Sequence, residues 1–125
     1  MIDADPLKLR LQILCGPEIA MGPGKADLLD AIAQAGSISG GARQMGMSYR
    51  RAWMLVDTLN RCWTKTVVET LPGGGHEKGA RLTLFGQRLL TSYRTLEQSA
   101  AAAAEAGFTA QLAGCLRNTP RPPHH

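Results

Sequence analysis

The segment over residues 36–60, GSISGGARQMGMSYRRAWMLVDTLN, constrains the fold of this chain more tightly than any other. Ala42 is a small residue where a second helix must cross closely, and Gly46 accepts the positive φ of a tight turn. Ser48 then stands at an N-cap position, where its hydroxyl accepts from the free amides of the next turn. We therefore predict two short helices joined by a glycine turn, the second running over about residues 49–63, which is the layout of a helix-turn-helix.

The second helix is predicted to have one buried and one exposed face. On a period of 3.6 residues, the buried side holds Ala52, Val56, Leu59 and Trp63. The exposed side holds Arg50, Met54, Asp57 and Arg61, with Arg51 and Thr58 at its edges. Arginine pairs bidentately with guanine, and a soft apolar group contacts the thymine methyl. The face is therefore typical of a helix that reads the major groove of DNA, although such a face also fits a solvated surface.

The segments before the Gly46 turn predict a strand and two helices. Leucine and isoleucine alternate with polar residues over residues 7–14, as in a half-buried strand. Residues 25–35 carry an apolar stripe and stop at Gly36. The next helix is the weakest prediction, because Gly40 and Gly41 each cost roughly 1 kcal/mol relative to alanine. Such glycines are retained where two backbones must approach closely.

Residues 66–84 predict a β-hairpin, with two short strands around the glycine-rich tip PGGGHEKG. A glycine-rich loop is also typical of a phosphate cradle, but here no GK[ST] ending follows and no helix opens directly from the loop. His76 and Lys78 at the tip, with Arg81 behind them, suit a wing that lies along the DNA backbone or in the minor groove.

A long last helix is predicted from Thr83, its N-cap, over residues 84–106 to a stop at Gly107. About 20 residues span about 30 Å, which exceeds one small core, so we expect a two-fold dimer rather than a helix that only covers its own domain. The predicted dimerisation residues are Phe85, Leu89, Tyr93, Leu96, Ala100 and Ala103. Such a dimer would place two recognition helices one DNA turn apart. A short helix over residues 108–116 and a flexible tail over residues 117–125 complete the chain.

Positive charge is concentrated in the predicted DNA-binding half of the chain. The 125 residues carry a formal net charge of +4, but residues 37–94 hold nine basic and three acidic residues, a net +6. The rest holds five basic and seven acidic residues, a net −2. This asymmetry indicates attraction to a polyanion.

Several functional classes find no support in the sequence. Cys15, Cys62 and Cys115 form no CxxC pair and are odd in number, so neither a zinc site nor a disulfide framework is indicated. No hydrolytic triad or paired-carboxylate set is visible, so we expect no enzyme. The N-terminus is not that of a signal peptide, and no apolar run reaches about 18 residues. We therefore expect a cytoplasmic protein without a membrane partner.

The chain closely resembles the N-terminal DNA-binding domain of the ModE family of molybdate-responsive transcriptional regulators. The resemblance lies in the GSIS entry, the A-x-x-x-G core at Ala42 and Gly46, the Ser48-Tyr49-Arg50 helix start with Ala52-Trp53, the glycine-rich hairpin and the A-x-L-T-x-x-G-Q-x-L segment over residues 80–89. It covers about residues 23–96. The LysR-type regulators share this plan and are the nearest alternative.

The resemblance implies a mainly α fold with a small β component, a winged helix-turn-helix with a long C-terminal dimerisation helix. The expected domains are the winged helix over residues 1–82, the dimerisation region over residues 83–116 and the tail. A homodimer would bind palindromic operators in double-stranded DNA, often as a repressor near molybdate transport genes. Members of the family carry molybdate-binding β-domains, which we do not find after Gly107. We therefore expect no cofactor in this chain, with molybdate sensed by a separate protein, or else another effector or none.

We assign the predicted DNA contacts to three groups of side chains. Base edges or adjacent phosphates are expected to meet Arg50, Met54 and Arg61, with Arg51 and Thr58 at the edge. The DNA backbone is expected to meet Ser37, Ser39, Arg43, Ser48 and Tyr49, and the wing is expected to use His76, Lys78 and Arg81. The open alternatives are a LysR-like regulator with another target, a winged helix for protein contacts, and a molybdate-binding protein.

Overall fold

The computed structural model describes residues 5–72 and 79–124, which form a small helical domain with two β-hairpins. The elements in chain order are β1 (Ile13–Cys15), β2 (Glu18–Met21), α1 (Pro23–Ala35), α2 (Ile38–Met45), α3 (Tyr49–Cys62), β3 (Val68–Thr70), β4 (Ala80–Leu82), α4 (Leu84–Gln111) and a short 3₁₀ helix (Ala113–Cys115). The predicted fold class, mainly α with a small β component and a long last helix, is confirmed. None of the described helices is long and apolar enough to span a membrane.

The predicted strand over residues 7–14 is wrong for most of its length. Strand β1 begins only at Ile13 and pairs antiparallel with β2, which the sequence did not predict, so that Cys15 lies opposite Glu18. The alternating residues before β1 contact α4 instead of forming a strand. The carbonyl of Leu11 accepts a hydrogen bond of 2.6 Å from the buried hydroxyl of Tyr93, which docks this segment on α4 instead of in a sheet.

The helix-turn-helix has the predicted geometry. Gly46 follows α2 with a φ of 67°, the left-handed conformation expected of the turn residue. The paired glycines of α2 lie where α1 crosses it. A Cβ on Gly41 would stand 2.7 Å from a side-chain carbon of Ile32, so only glycine permits this approach. The close packing of α1 on α2 explains why two poor helix formers occur in the weakest predicted helix.

The core lies between α1, the inner face of α3, the wing strands and the start of α4. Its buried residues are Met21, Ala26, Leu28, Leu29, Ile32, Ile38, Ala42, Ala52, Val56, Leu59, Val67, Val68, Ala80, Leu82, Leu89 and Tyr93. Three of the four residues predicted for the buried side of α3 are in this set. The fourth, Trp63, is half-buried and stacks at a tilt on Phe85, with ring centroids 6.1 Å apart. Its indole N–H donates to the carbonyl of Ala20 at 2.9 Å.

The predicted wing is present as an antiparallel pair, β3 and β4, with Val68 opposite Leu82 and Thr70 opposite Ala80. The tip over residues 73–78 lies outside the described residues, and the predicted contacts His76 and Lys78 lie there with it.

Helix α4 starts as predicted and ends later. The hydroxyl of Thr83 accepts from the amide of Gly86 at 2.9 Å, which confirms the N-cap. The helix then continues through Gly107 to Gln111, so the predicted stop at Gly107 is wrong. This glycine has no positive φ, and the alanine-rich turns before it offset the cost of about 1 kcal/mol of one helical glycine. The predicted short helix over residues 108–116 is reduced to one 3₁₀ turn.

Two of the predicted dimerisation residues belong to the domain's own core. Leu89 is 7% exposed and Tyr93 is 1% exposed within a single chain. These side chains have almost no surface left for a second copy, because the apolar period of α4 near its start faces α1 and the N-terminal segment. The prediction for these two residues is therefore wrong, and the remaining predicted contacts are Phe85, which is half-buried, and the residues from Leu96 onward.

We predict opposite effects of alanine at two glycines of α4. A Cβ at Gly86 would stand 2.2 Å from the carbonyl oxygen of Val67, whereas one at Gly107 meets nothing within 4 Å. Gly86→Ala is expected to lower the free energy of unfolding by about 1–3 kcal/mol through overpacking. Gly107→Ala is expected to raise it by about 0.5–1 kcal/mol through helix propensity. Urea denaturation of both variants measures the two effects, and equal stabilities would contradict the close packing of α4 on residue 67.

Candidate nucleic-acid interface

The start of α3 is fixed by its cap and by the turn before it. The hydroxyl of Ser48 accepts from the amide of Arg51 at 3.1 Å, as the sequence predicted. The amide of Gly46 bonds to the last carbonyls of α2. Ser48 therefore uses its side chain to begin the helix, which sets the direction in which the first turn of α3 presents its arginines.

The outer face of α3 combines two guanidinium groups with three large apolar or aromatic side chains. Tyr49, Trp53 and Met54 are 54%, 49% and 53% exposed. Arg50 and Arg51 are exposed and form no ion pair with any residue in the ranges 5–72 and 79–124. Trp53 was not among the predicted contacts. The face can therefore offer both charge-assisted hydrogen bonds and flat apolar surface to a ligand.

Arg61 differs from the other arginines of α3 because acidic groups surround it. Its Nε lies 2.9 Å from a carboxylate oxygen of Asp57, and its Nη2 lies 3.8 Å from a carboxylate oxygen of Glu18 on β2. Hydrogen bonding to Asp57 raises the pKa of Arg61 above its usual value. Arg61 thus pairs with Asp57 and lies near Glu18, beside the outer face of α3. The sequence did not predict the contact with Glu18, because Glu18 is distant along the chain.

The predicted backbone contacts fall into two groups. Ser37 is only 7% exposed, and its hydroxyl accepts from the amide of Gly40 at 2.9 Å as the N-cap of α2. The cap bond and this burial leave the hydroxyl little surface for its predicted contact with the DNA backbone. Ser39 is half-buried, whereas Arg43, Ser48 and Tyr49 are exposed.

At the base of the wing, Arg81 pairs with an acidic residue opposite it. Its Nε lies 2.7 Å from a carboxylate oxygen of Glu69, the residue across from it in the β3–β4 pair. Both side chains are largely exposed, so the pair adds little to stability. It does hold the guanidinium on the outer surface of the hairpin.

Asn60 joins α3 to the wing through three hydrogen bonds. Its side-chain oxygen accepts from the amides of Val67 and Val68 at 2.8 and 3.1 Å, and its side-chain NH₂ donates to the carbonyl of Val68 at 3.0 Å. These bonds fix the first strand of the wing against one flank of α3. Sequence reasoning missed Asn60, since helical spacing places it beside the buried stripe without indicating a partner.

The opposite flank of α3 borders an open cleft of about 460 Å³. Its walls come from the β1–β2 turn, the first turn of α1 and the outer face of α3: Pro17, Glu18, Ile19, Lys25, Ser48, Arg50, Arg51, Met54, Leu55 and Thr58. Lys25 and Glu18 were not predicted as site residues. No local motif marks them, because only the folded β1–β2 hairpin brings them to α3.

Metal binding has no support among the described residues, which include no group of three or more histidine, cysteine or acidic side chains able to hold an ion. The three cysteines are free thiols.

We predict that Asn60→Ala destabilises the protein by about 2–3 kcal/mol, because it removes three hydrogen bonds and leaves two backbone amides of the wing without their acceptor. Thermal and urea denaturation measure the loss. Gln98→Ala, at an exposed position of α4, is the control and is expected to change stability by under about 0.5 kcal/mol. Equal effects of the two substitutions would show that Asn60 does not anchor the wing.

Comparison with known proteins gives relatives over most of the chain. No family model matches. The molybdenum-pterin-binding protein MopA of Rhodobacter capsulatus is 42% identical over 89 residues, covering 71% of this chain and 33% of MopA. The DNA-binding transcriptional dual regulator ModE of Escherichia coli K12 is 39% identical over 92 residues, covering 74% of this chain and 34% of ModE. The chain thus spans about a third of the length of these relatives.

Two solved structures show the same fold. The CbnR DNA-binding domain, in complex with DNA, superposes with a TM-score of 0.53 at 20% identity and covers 69% of this chain and 93% of that domain. The regulator LysG of Corynebacterium glutamicum, with its effector Arg bound, gives a TM-score of 0.50 at 23% identity over 74% of this chain and 30% of LysG. The fold is thus the winged helix that these two structures share, and in sequence 71% of the chain is similar to MopA and 74% to ModE.

Proposed function

We propose that this protein is a transcriptional regulator that binds double-stranded DNA by inserting α3 into the major groove. The observation that carries the proposal is the exposed pair Arg50 and Arg51 on a capped helix whose other side is locked into the core. A fixed helix with unpaired guanidinium groups among the described residues suits bidentate contacts to guanine edges and phosphates. The regulator names of several relatives and the DNA-bound structural neighbour support the same function.

In the proposed complex, some exposed side chains contact base edges and others contact the DNA backbone. Arg50 and Met54 lie opposite the buried stripe and are placed deepest in the groove, with Arg51 and Thr58 at one edge. The backbone contacts fall to the exposed groups around the helix start, Arg43 and Tyr49, with Ser39 and Ser48 beside them. Arg61 contributes by neutralising Asp57, which would otherwise repel the phosphates.

We further propose that the protein acts as a homodimer on palindromic operators. The buried residues of α4 all lie at or before Tyr93, and Leu96 is 51% exposed. A second copy of α4 would cover Leu96 together with the small residues Ala100 and Ala103. Two-fold pairing along this helix would set two copies of α3 against successive major grooves. Binding across a promoter would then make the protein a repressor.

The names of the relatives connect their proteins with molybdenum, and we propose that the genes controlled here serve molybdate transport or metabolism. Molybdate sensing is assigned to a separate molybdate-binding protein, with no cofactor held by this chain. The competing function is a LysR-like regulator with an unrelated target. The two functions predict that the protein retains different DNA sequences.

Selection from sheared genomic DNA tests the proposal. Purified protein is incubated with the fragments at moderate salt, with and without molybdate, and the retained DNA is sequenced. Enrichment of a palindrome near molybdate genes supports the full proposal, and a palindrome elsewhere supports the LysR-like alternative. Retention without sequence preference contradicts a sequence-specific regulator and favours an architectural or accessory role. Absence of retention contradicts DNA binding and favours a winged helix used for protein contacts.

We predict that Arg50→Ala weakens binding to the selected operator by about 1–3 kcal/mol and relaxes sequence preference, because a bidentate base contact is lost. Fluorescence anisotropy with the operator and with single-base variants measures both effects. Arg117→Ala removes the same charge from an exposed position beyond α4 and is the control. Unchanged affinity and unchanged preference in Arg50→Ala would remove this residue from the base-reading set.

We predict that Leu96→Glu shifts the protein toward monomer, since it puts a carboxylate into the proposed apolar seam of α4. Gln98→Glu is the control: it adds the same charge two residues on, at the opposite side of the helix. Sedimentation equilibrium over a concentration series distinguishes the two variants. A monomeric parent protein, or a dimer that tolerates Leu96→Glu, would contradict pairing through this face.

A further inference from the structure

The cleft beside α3 has an excess of positive charge that no described acidic residue fully offsets. Lys25, Arg50 and Arg51 line it, and Glu18 is its one acidic wall residue. Glu18 also lies 3.8 Å from Arg61. Its negative charge therefore acts on Arg61 as well as on Lys25. A cleft open to solvent with this balance is suited to an anion.

Lys25 is the least expected member of this cationic group. It belongs to the first turn of α1 and is half-buried against the flank of α3. Burial lowers the pKa of its ammonium group below the usual value, and the positive charge of Arg51 acts in the same direction. The Cys62 thiol and the Glu18 carboxylate oppose this shift. The protein thus holds two like charges near each other in a partly desolvated site, where an anionic ligand would relieve both.

The position of the cleft relative to α3 indicates which anion it meets. Asn60 marks the flank of α3 that is bonded to the wing, whereas Leu55 and Thr58 mark the flank that borders the cleft. An α-helix with its side chains is about 10–12 Å across, and the major groove is about 12 Å wide. When the helix fills the groove, its two flanks therefore face the two phosphate backbones. The wing lies on one side and Lys25 on the other.

We propose that this cleft seats a backbone phosphate of the DNA strand on the side of α3 away from the wing, held by Lys25 together with Arg51. The inference rests on the proposed DNA-binding function and adds a contact from α1, outside the helix-turn-helix. Lys25 contributes affinity without sequence preference, because phosphates carry no base identity. Glu18 opposes the contact and limits its strength. The phosphate also fixes how deeply α3 enters the groove, since α1 packs closely on α2, which the Gly46 turn joins to α3.

The test uses full-length Lys25→Gln, titrated against the selected operator and a scrambled duplex over a series of salt concentrations. One lost phosphate contact is expected to reduce the slope of log K against log salt by about 0.9, which at about 0.1 M salt weakens binding roughly fivefold to tenfold. Both duplexes are expected to lose affinity by the same factor. Lys8→Gln removes the same charge from the exposed N-terminal segment and is expected to leave the slope nearly unchanged.

Two further variants separate charge from structure. Lys25→Arg keeps the cation and is expected to keep the parent slope, and Glu18→Gln is expected to bind both duplexes more tightly than the parent. Circular dichroism and thermal melting establish that every variant is folded. A Lys25→Gln slope equal to that of the parent, or a loss restricted to the operator, overturns the phosphate contact while leaving DNA binding intact. Failure of the parent protein to bind any duplex instead overturns the proposed function itself.

Discussion

The orientation of α3 depends on the three hydrogen bonds through which Asn60 binds the backbone at Val67 and Val68. The apolar stripe of α3 fixes which side faces the core, but apolar contacts alone allow a helix to slide or rotate slightly. Directional bonds from one amide side chain remove that freedom on the wing side. On the other side, the indole of Trp63 donates to Ala20 at the end of the first hairpin. The helix that presents Arg50 is thus held between two β-hairpins, and each hairpin also borders one flank of the candidate interface.

Fewer cations are available to a ligand at the interface than the net charge of the sequence indicates. The segment over residues 37–94 is strongly basic, yet Arg61 and Arg81 each bind a carboxylate within about 3 Å. Their charges are partly neutralised before any ligand arrives. Within the candidate interface, Arg50, Arg51 and Lys25 form no ion pair with a described residue, and they lie at the start of α3 and in the neighbouring cleft. A ligand therefore meets positive charge on the outer face and on one flank of α3, which favours one docking orientation over non-specific attraction.

The parts of the fold that depend on local sequence were predictable. Gly46, Ser48 and Thr83 act through bonds within four residues, and the stripe of α3 follows from helical period alone, so their positions followed from the sequence. Features that depend on distant partners were not. The β2 strand, the pairing of Glu18 with Arg61 and the placement of Lys25 all need the folded N-terminal hairpin to come against α3.

The same distinction explains why the sequence did not predict the burial of three candidate residues. Ser37 has the residue type of a backbone contact, but its cap role buries it. Leu89 and Tyr93 have the spacing of a dimer seam, but both are buried within their own domain. Spacing alone does not distinguish a residue that faces its own core from a residue that faces a second copy. A periodic pattern identifies which residues share a side of a helix. Only the packing of the other elements determines what covers that side.

Helix α4 connects the proposed dimer seam rigidly to the helix-turn-helix. Arg94 lies 2.8 Å from the carboxylates of both Asp27 and Asp30 on α1, and 3.0 Å from that of Glu97 on its own helix. These bonds attach α4 to α1, which in turn packs directly on α2 where Gly41 meets Ile32. The 28 residues of α4 extend about 42 Å, although their burial in the domain is confined to the first turns. A contact made along the free part of α4 would therefore fix the separation of two recognition helices, because no flexible linker lies between the seam and the helix-turn-helix.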